Sequence, residues 1–134
     1  MNKNSRLSLV ALVVIVVAFL GGLFLGRSGR SELERAKTQA ELQTELNRAR
    51  VSMLHARLEI VSSNFGQASQ QLDAARAPLE ALRDQLNAMG RNPDAGRVTA
   101  ALNAAAEAQT LSLALNRDAD GKINEALRAL DGIQ

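Results

Sequence analysis

"LNRARVSMLHARLEIVSSNFG", residues 46–66, decides the fold. Counting from just before it, apolar residues fall at Leu42, Leu46, Ala49, Met53, Ala56 and Ile60, alternately four and three apart. That spacing is a heptad row, which keeps one face of a helix apolar over several turns. A second row, read as its neighbour, runs through Val51, Leu54, Leu58, Val61 and Phe65 with the same alternation. One row needs one packing partner, whereas two rows need neighbours on two sides. The helix therefore belongs to a multi-helix assembly, and its second row is the leading candidate for a protein contact.

Downstream, "SSNFG" at residues 62–66 combines turn-prone polar residues with a glycine, after which the heptad spacing restarts at Ala68, Leu72, Ala75, Leu79, Leu82, Leu86 and Met89. Helix, turn, helix is the expectation. Pro78 falls inside the second run, where the missing N–H and the ring's clash with the preceding turn predict a kink or the start of a new helix. "GRNPDAG" at residues 90–96 is strong punctuation, with Asn92 placed to cap a third helix, Pro93 at its first position and Asp94 as an early acid. The predicted helices span about residues 31–63, 66–89, 93–116 and 122–131. No strand-like alternation occurs, so the class is all-α.

Upstream, Leu7 to Leu25 is free of charged residues and covers roughly 28 Å as a helix, close to the thickness of a bilayer's hydrocarbon core. It continues into "FLGGLFLGRSGR" without a small-residue cleavage site. The expected organisation is a short basic tail at 1–6, a single transmembrane helix at 7–26, a linker at 27–30 and a helical domain at 31–134. "SELE" at residues 31–34 reads as a capping box that starts the domain's first helix. Gly22 and Gly26 form a G-x-x-x-G that could bring two spans together and support a homodimer. The expected location is a bacterial inner membrane in single-pass form. Basic residues on both flanks, Lys3 and Arg6 before and Arg27, Arg30, Arg35 and Lys37 after, leave the side of the domain open, with a slight lean to the cytoplasm.

Composition narrows the chemistry. The chain has no Cys, Trp or Tyr and a single His, so disulfides, thiolate catalysis and cysteine–zinc sites are excluded. Sixteen basic and fourteen acidic residues are interspersed and give a net charge of +2, which is no electrostatic footprint for nucleic acid. His55 lacks a positioned partner in the sequence, and no phosphate loop or nucleophile motif is present. The expectation is a protein without catalytic residues or cofactors.

One motif points to a metal. In "LNRDADGKINEALRAL", residues 115–130, Asn116, Asp118, Asp120 and Asn124 sit near the ligand positions of an EF-hand loop, and Gly121 stands at its sharp turn. Calcium needs a bidentate Glu at the twelfth place of that loop, and here that place is Leu127. The alternative is a helix N-terminus at which acids complement the exposed amides.

The stretch "ARLEIVSSNFGQASQQLDAAR", residues 56–76, resembles a tetratricopeptide repeat hairpin through Ala56, Phe65 in its turn, Ala68, Leu72 and Ala75. The resemblance covers about one repeat and implies one helix packed against the next within a scaffold. A small helical bundle accounts for the same residues. Both readings lead to a membrane-anchored scaffold or adaptor. It binds the lipid bilayer through its span and an unidentified protein through Leu54, Leu58, Val61, Phe65, Leu82 and Leu86. A membrane-tethered sensor or self-associating anchor whose helical domain binds a small ligand or cation is the alternative.

Overall fold

The computed structural model describes the backbone of residues 3–134 and side chains from Ser31 onward. Four helices follow in order: α1 (Lys3–Val61), α2 (Phe65–Ala88), α3 (Asn92–Leu113) and α4 (Ala119–Ala129). No strand occurs among the described residues. The chain divides into two units, Met1–Gln39 and Ala40–Gln134. The apolar segment Leu7–Leu25, with Gly22 and Gly26, lies outside the residues whose side chains are described. Among the described residues no helix is long and apolar enough to cross a membrane.

The first heptad row becomes the α1 contribution to the core of the second unit: Leu42, Leu46, Ala49, Met53, Ala56 and Ile60 are all buried. It meets the α2 row Ala68, Leu72, Ala75, Leu79, Leu82 and Leu86, and the α4 row Ala119, Ile123 and Ala126, which Leu130 and Ile133 extend. α3 fills its share of this interior with small side chains, Ala95, Ala101, Ala104, Ala105 and Ala108 around Val98. Ser112 is fully buried there, and its hydroxyl donates to the Ala108 carbonyl at 2.8 Å, so this hydroxyl is satisfied, whereas Gln85 Oε1 on α2 is buried without a partner.

Helix order around the bundle follows from the cross-links. α3 packs on both α2 and α4. Arg50 of α1 donates to the Leu130 carbonyl at 2.8 Å, and Arg57 pairs with Asp120 at 2.8 Å, so α1 and α4 run antiparallel side by side. At one end Arg117, in the α3–α4 turn, donates to the Ser63 hydroxyl in the α1–α2 turn at 3.0 Å. At the other end Arg91 and Arg97 donate to the carbonyls of Gln134 and Asp131. The unit is an up-down-up-down four-helix bundle, whose alternating direction places these turns together.

Each of the first three helices stops in the same way, with a left-handed residue just past its end: Ser63 (φ 62°), Gly90 (φ 73°) and Leu115 (φ 54°). After α1, the Asn64 amide donates to Glu59 and the Ser63 amide to Ile60; after α3, Asn116 donates to Leu111 and Leu115 to Ser112. These paired bonds are Schellman caps, which satisfy carbonyls that the helix itself leaves unpaired. Only at Gly90 does the sequence supply the residue that such a backbone favours.

Several expectations need correction. α1 continues through 27–30, where a linker was expected, so Ser31 lies within a helix instead of starting one. Gly26 and Gly29 weaken a helix by about 1 kcal/mol each relative to alanine, too little to end it without a cap. Arg91, not Asn92, occupies the N-cap position of α3, and α4 begins at Ala119, ahead of Lys122. α2 is one helix through Pro78, so no new helix starts there.

Candidate interaction surface

The two rows on α1 are not neighbours. At 100° per residue their mean directions lie about 140° apart, so they mark nearly opposite sides of one helix. The structure buries the first row and leaves the second in solvent: Val51 is 51 % exposed, Leu54 47 %, Leu58 63 % and Val61 72 %. Phe65, the last member, is half-buried and packs against the core from the first turn of α2. Leu82 and Leu86, expected on the same contact surface, are 0 % exposed and belong to the interior. Their heptad position on α2 points to the bundle axis, so they cannot meet a partner. Met89, just past α2, is exposed.

Beside the outer row, Thr44, Asn47, Arg48, Val51 and Ser52 of α1 form one wall of a shallow groove of about 550 Å³, and Ala74 and Pro78 of α2 form the other. Pro78 contributes a flat apolar ring to this wall, and its lack of an N–H leaves the Ala74 carbonyl without its usual helical donor. Arg48 is paired with Glu45 at 3.3 Å, and Arg57 with Asp120, so two of the cations flanking the outer row are neutralised within the chain. The row is therefore an apolar ridge with two of its bordering cations paired, while a third, Arg50, keeps its charge and donates to the Leu130 carbonyl. Leu113 and Leu115, both 70 % exposed, add apolar surface at the end of α3.

A second groove, of about 270 Å³, lies between α2 and α3, with Arg76 and Arg83 on one wall and Asn103 and Gln109 on the other. It falls slightly below the volume of an ordinary small-ligand pocket. Its arginines are already engaged, Arg76 with Glu80 at 3.0 Å and Arg83 with Asp84 at 2.8 Å. The hydrogen bond to Glu80, helped by that carboxylate's charge, holds the Arg76 guanidinium above its usual range.

The calcium-like residues form a helix corner. The Asn116 side chain accepts from the Asp118 amide at 2.9 Å, which is a local turn contact, and Asp118 occupies the N-cap position of α4 without a side-chain cap bond. Both oxygens of Asp120 are engaged: Oδ1 accepts from Arg57 at 2.8 Å and Oδ2 from Asn124 at 3.2 Å. Leu127, at the place where calcium needs a bidentate Glu, packs against the core. Among the described residues no three carboxylates or histidines come together as a metal site requires. Lys122, next to this corner, bridges Glu107 of α3 at 2.7 Å and Glu125 of α4 at 3.0 Å. Hydrogen bonds to Glu107 and then Glu125 hold its ammonium above the usual lysine range.

His55 is exposed, one residue along from Leu54. What the sequence did not single out is the strained turn at Leu115; its one signal was a leucine pair, Leu113 and Leu115, directly before a run of turn residues. No protein-family model, curated protein or solved structure matches the chain.

Proposed function

We propose that the chain is a non-catalytic helical scaffold, anchored in a bacterial inner membrane by a single pass at Leu7–Leu25, that holds a protein partner on the outer face of α1. The observation that carries this reading is the exposed row Val51, Leu54, Leu58 and Val61 on the side of α1 turned away from its own core. Contiguous exposed apolar surface on an otherwise polar protein marks an interaction site, because leaving it in water is unfavourable. α1 is the helix with apolar residues on two sides, and its own bundle uses one of them.

Affinity capture of the full-length chain from native membranes, compared with Leu58→Asp, tests the reading. A partner retained by the parent and lost from the folded variant supports it. Retention of every partner by a folded Leu58→Asp variant would sink it.

A further inference from the structure

The outer row of α1 has a regularity that extends beyond its four apolar members. Going back from Val51, the same alternation of three and four reaches Asn47 and Thr44, which line the adjoining groove. The full row is Thr44, Asn47, Val51, Leu54, Leu58 and Val61, alternating between the a and d positions of a heptad. All six lie on one side of α1, outside the bundle core. We propose that this row is the seam of a parallel, in-register dimer between two copies of the chain. The proposal rests on the reading that the outer face of α1 is a protein contact, and it names the partner.

In-register pairing sets like against like: Thr44 and Asn47 meet their own counterparts, so amide faces amide and hydroxyl faces hydroxyl, while the four apolar residues stack on their equals. An antiparallel pairing also matches the apolar four, since Val51 and Val61, and Leu54 and Leu58, are arranged symmetrically about Ala56. It would, however, carry both Asn47 and Thr44 past Val61, the end of the partner's α1. A polar residue repeated across a seam fixes its register at some loss of affinity. Val51 at a followed by Leu54 at d is the combination that favours two strands, and Leu58 at a followed by Val61 at d reverses it, so the register of the seam rests on its polar pair Thr44 and Asn47. Of the bordering cations, Arg48 and Arg57 are held by Glu45 and Asp120 of their own chain, and Arg50 is directed at its own Leu130 carbonyl. Two parallel chains also lead their N-terminal segments from the same end, as copies tethered to one bilayer must.

The area sets the strength. Partly exposed Val and Leu side chains offer roughly 200–300 Å² of apolar surface per copy, using the area that corresponds to burying such side chains. A stable interface buries about 800 Å² per partner. The seam is therefore weak for free chains and becomes populated where tethering in one membrane raises the effective concentration toward millimolar.

The chain's lack of cysteine makes the test direct. Full-length chains carrying only Val51→Cys, only Val61→Cys, or only Ala100→Cys on exposed α3 are placed in bilayers and treated with a short bismaleimide. Covalent dimer from each of the first two, at least tenfold above the α3 control, is the expected result. Dimer only when the Val51→Cys and Val61→Cys chains are mixed would show an antiparallel seam and overturn the proposal. No dimer above the control from any sample would overturn it as well. If in that case Leu58→Asp still abolishes capture of a different protein, the contact-face reading survives the failure; if Leu58→Asp changes nothing, both fall.

Discussion

Asp120 at the start of α4 accepts from Arg57 near the end of α1 at 2.8 Å, and this ion pair fixes the corner at which a calcium loop could be read from the sequence. The carboxylate that would have served as a ligand instead joins the last helix to the first. Its other oxygen is held by Asn124, one turn along α4.

Asp120→Ala removes both contacts without exposing new apolar surface. Both side chains are a third or more exposed, so the pair is worth about 0.2–1 kcal/mol and solvent screens it. A thermal melt should therefore fall by only a few degrees, and the loss should shrink further in high salt. Calcium should leave the melting temperature of the parent unchanged; a rise in the parent that Asp120→Ala abolishes would return the corner to the list of cation sites.

Leu82→Ala and Leu58→Ala separate the inner and outer leucines. Leu82 is buried, so truncation leaves a cavity and should destabilise by about 2–5 kcal/mol. Leu58 is exposed, and its truncation should change stability by no more than about 0.5 kcal/mol. Denaturant unfolding of the two variants reads this difference directly, with equal slopes expected.

Leu58→Asp should fold like the parent, since a carboxylate on the outer side of α1 remains hydrated. Its circular dichroism and melting curve are expected to overlay those of the parent, while self-association and partner capture are reduced at least tenfold. A variant that unfolds would instead assign Leu58 to the interior.

Leu115→Gly should stabilise the bundle. Leucine at φ 54° carries a steric penalty of about 1–2 kcal/mol that glycine lacks, partly offset by the larger entropy of glycine in the unfolded chain. Because Leu115 is 70 % exposed, little packing is lost, and a net gain of about 0.5–1 kcal/mol is expected. The measurement is the denaturation midpoint. A lower midpoint would mean that the leucine side chain contributes contacts that outweigh the strain.

The parts of the fold that were legible in the sequence are those set by periodicity. Leu42 through Ile60 and Ala68 through Leu86 were grouped as rows by spacing alone, and the structure buries both rows. Spacing did not reveal that the second row on α1 lies across the helix from the first, because an alternation of three and four is the same on any face; direction follows only from projecting one row against the other. Leu82 and Leu86 show the related difficulty: an apolar heptad position suits a core and an interface equally, and only the assembled bundle decides between them. Helix ends were harder. Ser63 and Leu115 adopt the left-handed conformation without being glycine, held there by the Schellman bonds of Asn64 and Asn116, which no local preference announces. In the calcium-like loop the residue that decides between a cation site and a helix corner is Leu127, since one missing bidentate ligand changes the chemistry more than several matched positions.

Among the described residues, 11 of the 23 buried apolar side chains are alanines, and five of the seven buried residues of α3 are among them. Such an interior inverts the usual map of mutational tolerance. In a leucine-rich core the vulnerable changes are deletions of volume, and enlargement is limited to a few tight spots. Along Ala101, Ala104, Ala105 and Ala108 nearly every single substitution adds atoms where the helices already meet, so the positions most resistant to sequence drift should be those with the smallest side chains. A random library of this chain would record its most restricted helix as a run of residues that looks, in composition, like the most replaceable one.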